Sequence, residues 1–169
     1  MSHADFVHLR AHSAYSLCEG AIPVKNLVKL AAEQGMPALG LCDTDNLFGA
    51  LEFSAAALDA GLQPIIGCQL SIKLGDGQPV ANRPMFDEGP VVLLAQTDQG
   101  YRNILKMMKI AYMDGDDAQR PGVTPEQLCT HSDGIILLTG GADGVLGRLI
   151  RMNKTADAET LLGLSLIHI

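Results

Sequence analysis

The sequence predicts an α/β protein in which short apolar strands alternate with amphipathic helices. Short apolar runs such as ALGLC, VVLLA and IILLT recur along the chain, and the segments between them place apolar residues at helical spacing. This alternation is typical of a parallel sheet or a barrel. A barrel of this class has about 250 residues, so a chain of 169 residues predicts an incomplete one.

Composition and charge exclude several classes of protein. Hydrophobic residues make up 47% of the chain and the mean hydropathy is +0.18, as expected for a globular domain. The net charge of −7 and the scattered Lys and Arg residues argue against DNA binding through phosphates by this segment. No apolar run is long enough for a membrane span and no signal peptide is evident, so a cytoplasmic location without membrane contact is expected. The four cysteines show no CxxC spacing, which predicts reduced thiols.

The first predicted strand covers residues 6–10, where polar and apolar residues alternate. The alternation places His8, Arg10 and His12 on one face. Histidines two residues apart on a strand can converge on a metal ion or a phosphate. The alternative for such a pair is that one histidine caps a loop and the other is partly exposed.

Two helices and two further strands are predicted before residue 75. The first helix begins near Val24 and is closed by Gly35 and Pro37, and Gly61 ends the second. The strands at 38–42 and 64–74 follow these helices. The apolar spacing predicts buried faces made of Leu27, Leu30 and Ala31 in the first helix, and of Leu47, Ala50, Leu51, Ser54 and Leu58 in the second.

The alternation continues to residue 162. Strands are predicted at 91–95 and 135–139, and loops at 75–89 (or a minor hairpin there) and 114–122. The predicted helices are 100–113, with Tyr101, Ile104, Leu105, Met108 and Tyr112 on the buried face, a short one opened by a capping box of Thr124 and Gln127, and those at 145–152 and 155–162. Residues 163–169 do not fit the repeat and are predicted to be a non-native tail, which leaves 1–162 as the domain.

Polar residues follow the predicted strands at the ends where α/β proteins carry their chemistry. They are His12, Glu19, Asp43, Asp45, Cys68 and Gln69, whereas the last of these strands ends at Gly140 and Gly141. A histidine with several carboxylates could hold a divalent metal for phosphate-ester hydrolysis. The alternative is that Asp43 and Asp45 cap the helix that begins near Leu47, and spacing alone favours this second interpretation.

Five segments carry a resemblance to a known family. In order they are FVHLRAHSAYSLCEGA, PALGLCDTDNLFGALEFS, QPIIGCQL, VVLLAQTDQGYRNILKMM and DGIILLTGG. Together they closely resemble the N-terminal PHP (polymerase and histidinol phosphatase) domain of bacterial DNA polymerase III alpha subunits over residues 5–162. The resemblance implies an incomplete, distorted (β/α)7 TIM-like barrel. It also implies a longer parent, a DNA-directed DNA polymerase, whose polymerase domain uses Mg²⁺ and lies outside this chain.

The metal site that the resemblance implies is degenerate in this sequence. His12, Glu19 and Asp43 keep the residue type of active members. Positions that hold metal ligands in active members are here Arg10, Thr44, Gln69, Pro90 and, in place of a cysteine found in some of them, Gly141. A guanidinium stays protonated and would repel a divalent cation, and Arg10 could instead pair with Asp43 or Glu19. We therefore expect no catalytic residues and no cofactor in this segment, with His12, Glu19 and Asp43 as the residual metal candidates.

The loss of ligands predicts a scaffold. The resemblance implies that the domain stabilises the polymerase and docks the separate proofreading exonuclease (epsilon) subunit among other polymerase III holoenzyme subunits, while DNA is bound by the absent domains. One alternative is a metal-dependent phosphoesterase or a 3'–5' proofreading nuclease, against which the ligand count argues. Another is a small independent binding protein, against which the unfinished barrel argues.

Overall fold

The computed structural model describes residues 4–74, 88–113 and 121–166. These residues mix helices and strands, which confirms the α/β class. They divide into two compact units at residues 69 and 70. The predicted loops at 75–89 and 114–122 lie largely outside the described residues. Within the described part, no helix combines the length and the apolar composition needed to cross a lipid bilayer.

The first unit, residues 1–69, contains two parallel strands and two helices. In chain order they are α1 (Val24–Glu33), β1 (Ala38–Thr44), α2 (Ala50–Asp59) and most of β2 (Gln63–Lys73). The strands pair from Ala38 opposite Gln63 to Thr44 opposite Gln69, so α2 is the crossover that a parallel pair requires. The hydrophobic core beneath these elements consists of Val24, Val28, Ala31, Met36, Leu39, Leu41, Phe53, Ala57 and Leu62.

The buried face of α2 differs from the predicted one. The helix buries Ala50, Phe53 and Ala57, whereas Leu51 and Leu58 are exposed. Apolar residues occur on more than one side of this helix, so spacing alone allows either the face with Leu51 and Leu58 or the face with Phe53 and Ala57 to be the buried one. The helix α1 shows a smaller error, because Leu30 is exposed although Ala31 is buried as predicted. Gly35 does close α1, with the positive φ of 69° that favours glycine.

The predicted strand at residues 6–10 is wrong. The chain bends at Leu9, and Ala11 forms a single parallel bridge to Leu41 of β1. Two backbone hydrogen bonds at Gly40 hold the segment beside the strand, one donated to the carbonyl of His8 (2.7 Å) and one accepted from the amide of Ala11 (3.1 Å). The alternation of side chains is therefore interrupted, although the segment still reaches the end of β1.

The second unit, residues 70–169, contains the end of β2 and the remaining elements. They are β3 (Glu88–Ala95), α3 (Asp98–Met113), β4 (Gly122–Val123), α4 (Pro125–Thr130), β5 (Ile135–Leu138), a 3-10 turn (Gly141–Asp143), α5 (Val145–Arg151) and α6 (Thr155–Leu166). The short β4, which the sequence did not predict, pairs in parallel with the end of β2. The pair β3 and β5 is antiparallel, which corrects the expected all-parallel sheet. Apolar runs predict strands but not their direction, and the connection from β3 to β5 through α3, β4 and α4 is long enough for either direction.

The helices of the second unit follow the predicted bounds more closely than the predicted faces. In α3 the residues Tyr101, Leu105 and Tyr112 are exposed rather than buried, whereas Asn103 is buried. The Asn103 amide donates to the carbonyl of Asp133 (2.9 Å), which fixes the rotation of the helix with a polar contact that apolar spacing does not reveal. The capping box of α4 is confirmed, with both Thr124–Gln127 hydrogen bonds present. The helix α6 extends to Leu166, past the predicted end at 162.

Candidate functional site

Six of the predicted site residues come together in the first unit. The loop after residue 9 supplies Arg10, His12 and Glu19. The end of β1 supplies Asp43 and Thr44, and β2 supplies Gln69. The strand register sets Thr44 directly opposite Gln69, because the side chains of paired residues in neighbouring strands lie on the same face.

Arg10 and Gln69 form the first half of a polar network. The Arg10 guanidinium donates two hydrogen bonds to Gln69 Oε1, from Nε (2.9 Å) and from Nη2 (2.6 Å). The amide nitrogen of the buried Gln69 side chain donates in turn to Thr44 Oγ1 (3.0 Å). Sequence reasoning offered Asp43 or Glu19 as the partner of Arg10, and the structure instead pairs it with an amide.

The buried Asp43 carboxylate forms the second half. It accepts three hydrogen bonds, from the Ser13 amide (2.7 Å), the Ser13 hydroxyl (2.7 Å) and the Ser16 hydroxyl (2.6 Å). The interpretation of Asp43 as a helix cap is therefore wrong. The N-cap of α2 is Gly49, and no side chain caps it.

The two serines are functional residues of the network that sequence reasoning missed. The Ser16 hydroxyl donates to Asp43 and accepts from the Thr44 amide (3.0 Å), so one atom joins the loop to two successive residues of β1. Ser13 and Ser16 are both almost completely buried. Their three-residue spacing in the HSAYS segment is consistent with one tight turn, but the same spacing also occurs in exposed loops.

Glu19 and His12 lie at the edge of this network. Thr44 Oγ1 donates a short hydrogen bond to Glu19 Oε2 (2.5 Å). The Nδ1 atom of His12 is 3.9 Å from the same carboxylate oxygen and 3.4 Å from Ser16 Oγ. His8 lies apart from these groups as an exposed residue whose ring packs edge-on against Phe6, with centroids 4.8 Å apart.

The thiols next to the network are held in the protonated form. Burial raises the pKa of Cys42 to about 12, and the negative charge of Asp43 acts in the same direction. Burial likewise raises the pKa of Cys68 to about 12, with a smaller contribution from Asp45. Both thiols are therefore neutral and unreactive as nucleophiles near neutral pH.

Gly141 and Pro90, the remaining predicted site positions, belong to the second unit. Gly141 begins the 3-10 turn with a positive φ of 67°, and Pro90 lies within β3. Neither supplies a side-chain ligand.

The chemistry of the assembled side chains is that of a hydrogen-bonded polar network. Asp43 is surrounded by donors, and the amide of Gln69 has donors on one side and acceptors on the other. Among the residues that the structure describes, no three His, Cys, Asp or Glu side chains form a group that could hold a metal ion. Such a satisfied network rigidifies the loop against the strand ends.

Comparison with known proteins gives the family. A model of the PHP domain family matches residues 8–166. The DNA polymerase III subunit alpha of Caulobacter vibrioides is 48% identical over 158 residues, which cover 93% of this chain and 14% of that protein. The Escherichia coli subunit is 38% identical, with coverages of 94% and 13%. The Rickettsia bellii subunit is 37% identical, with coverages of 92% and 12%.

The chain thus spans only 12–14% of the length of these curated relatives. Among solved structures, a candidate metal-dependent phosphoesterase from Bifidobacterium adolescentis matches with a TM-score of 0.45 and 17% identity, over 65% of this chain and 34% of that one. A similarity of that size does not establish a shared fold. The match over residues 8–166 does establish the family: this chain belongs to the PHP domain family and is homologous to a part of DNA polymerase III alpha subunits.

Proposed function

We propose that this chain is the PHP domain of a DNA polymerase III alpha subunit and acts there as a scaffold that docks the proofreading exonuclease (epsilon) subunit. The parent would be a cytoplasmic DNA-directed DNA polymerase within the holoenzyme, with DNA and Mg²⁺ bound by its other domains. The identities of 34–48% to alpha subunits support the parent. The single observation that carries the scaffold role is the contact of Arg10 with Gln69 at the centre of the polar network.

The side chains of this network are a poor set of ligands for the divalent metals of active PHP domains. A permanently charged guanidinium lies against Gln69, and an amide oxygen that already accepts two hydrogen bonds is a poor ligand. Asp43 is committed to three donors. His12 and Glu19 are the least committed candidates, although Glu19 accepts a hydrogen bond from Thr44, and each additional ligand would require breaking an existing hydrogen bond. The alternative, a metal-dependent phosphoesterase or 3'–5' nuclease, needs these ligands.

The finer fold is part of the same proposal. We infer a distorted (β/α)7 barrel, of which residues 1–162 form a part. The parallel pair of β1 and β2 with its crossover helix α2 supports it, whereas the antiparallel pair of β3 and β5 departs from a regular barrel. The continuation of α6 to Leu166 means that the first four residues of the proposed tail, 163–166, are helical. The non-native origin of residues 163–169 stays a prediction.

Metal binding is the first test. Equilibrium dialysis of the full-length parent against Zn²⁺ or Mn²⁺ should give no tight stoichiometric binding at this domain. The matched variant restores three ligands at once with Arg10→His, Thr44→His and Gln69→Glu, and it should bind metal more tightly than the parent. Tight binding by the unmodified parent that is lost on Asp43→Asn would contradict the proposal and favour the nuclease.

Exonuclease docking is the second test. The full-length parent should co-purify with its exonuclease subunit, and deletion of residues 1–160 should abolish this. Retention of another holoenzyme subunit by the deleted protein is the control for correct folding. Unchanged exonuclease binding after the deletion would sink the scaffold role.

A further inference from the structure

The outer face of α2 is apolar. Leu51 and Leu58 are 84% and 63% exposed, and Ala55 between them is also exposed. The spacing i, i+4, i+7 places the three side chains in one stripe. The neighbouring helix α1 differs, because its exposed face carries Lys25 and an ion pair between Lys29 and Glu33 (3.8 Å) beside its one exposed leucine, Leu30.

The apolar stripe continues beyond the helix. Phe48, in the turn that leads into α2, is 75% exposed and its ring lies 6.3 Å from that of Tyr15. We name Tyr15, Phe48, Leu51, Ala55 and Leu58 the α2 patch. Single exposed leucines are ordinary, whereas a contiguous apolar surface marks an interaction site.

Charge at the edge of the α2 patch indicates what covers it. Glu52 and Asp59 are exposed and stand one residue after Leu51 and Leu58, so they follow one border of the stripe. A facing surface must therefore be apolar with Lys or Arg along that border. A second copy of this chain fits poorly, because a two-fold contact brings the same acidic border to both sides and each chain carries a net charge of −7.

We propose that the α2 patch packs against another domain of the same parent polypeptide. The relatives devote only 12–14% of their length to the part matched here, so such neighbours are abundant and tethered. A tethered neighbour has a high effective concentration, and an apolar surface that is permanently covered does not hinder solubility. This proposal rests on the proposed identity of the parent, and it concerns a contact other than exonuclease docking.

Site-specific photocrosslinking in the purified full-length parent tests the proposal. A benzophenone amino acid replaces Leu51 in one protein and Lys29, on the polar outer face of α1, in the control. We expect an intramolecular crosslink from position 51 to a residue outside 1–169 with the predicted chemistry, and a much lower yield from position 29. A crosslinked dimer, a crosslink that forms only with another holoenzyme subunit, or no crosslink would each overturn the proposal.

A double substitution gives an independent measurement. The double substitution Leu51→Lys with Leu58→Lys should shift the equilibrium between the docked and the undocked domain by ~100-fold toward the undocked state. Burial of one leucine favours docking by at least ~10-fold. Limited proteolysis of the parent should then release the domain faster, while Lys25→Ser with Lys29→Ser should not. Equal proteolysis of both variants would refute the contact. Exonuclease co-purification is measured on the same proteins, so intact docking with a failed crosslink would refute this proposal alone.

Discussion

The hydroxyl of Ser16 offers the sharpest test of the polar network. It donates to Asp43 (2.6 Å) and accepts from the Thr44 amide (3.0 Å), and it is almost fully buried. Ser16→Ala removes both contacts, together with the longer one to His12 Nδ1 (3.4 Å), and adds none. A hydrogen bond to a charged group contributes ~1.5–3 kcal/mol, and a buried amide without an acceptor costs ~1–3 kcal/mol. Allowing for a water molecule that enters the gap, we expect a loss of about 3 kcal/mol in the free energy of unfolding.

Urea unfolding followed by circular dichroism measures this loss, and the exchange rate of the Thr44 amide reports it locally. The control is Ser54→Ala in α2, whose hydroxyl forms no hydrogen bond within the described part of the chain; its effect should stay within ~0.5 kcal/mol. A double-mutant cycle with Asp43→Asn isolates the Ser16–Asp43 contact and should give a coupling of ~1.5–3 kcal/mol. A coupling below ~0.5 kcal/mol would refute the view that Asp43 anchors the loop.

Three further outcomes are expected. Gly100→Ala should destabilise the chain by at least ~2 kcal/mol in thermal unfolding, because the new Cβ would lie 1.8 Å from the Gly134 carbonyl oxygen. Gly163→Ala in α6 is the control: its Cβ meets nothing within 4 Å, and it should stabilise the chain by ~0.5–1 kcal/mol. Equal effects of the two substitutions would contradict the close packing of Gly100. Maleimide at pH 8 should label the exposed Cys18 and spare Cys42 and Cys68 in the folded chain, because a pKa raised to about 12 keeps those two buried thiols protonated. Peptide mass spectrometry identifies the labelled cysteines, and labelling of all four cysteines in urea is the control. Thr124→Ala should lower the free energy of unfolding by ~1 kcal/mol, because it removes the N-cap of α4. Thr160→Ala on the exposed surface of α6 is the comparison, and an equal loss of stability in the two variants would argue against the capping box.

The sequence predicted the element types better than their contacts. Strands β1 and β5 and the start of α4 follow from apolar runs and capping residues, which act locally. The faces of α2 and α3 do not, because Leu51 competes with Phe53 for burial and the Asn103 contact to Asp133 is a tertiary choice. The antiparallel pairing of β3 with β5 also depends on residues far apart in the chain.

The membership of the candidate site was predictable only in part, because Ser13 and Ser16 were missed and Pro90 and Gly141 belong to the other unit. The residues at strand ends converge as expected from α/β architecture. Their partners could not be read from spacing, because Arg10 can reach several acceptors and a donor such as Ser16 looks like any loop serine. The network therefore emerged only when the loop was placed against β1.

The three bonds that fix Asp43 have a consequence for comparing relatives. An aspartate at this position fastens the loop to β1 through three hydrogen bonds from Ser13 and Ser16, so selection for folding alone can preserve it whether or not a relative is catalytic. The presence of this acidic residue is therefore not by itself a mark of an active enzyme. The positions of Arg10 and Gln69 are more informative, because their side chains bond directly to each other here and a carboxylate at position 69 would instead offer a charged ligand.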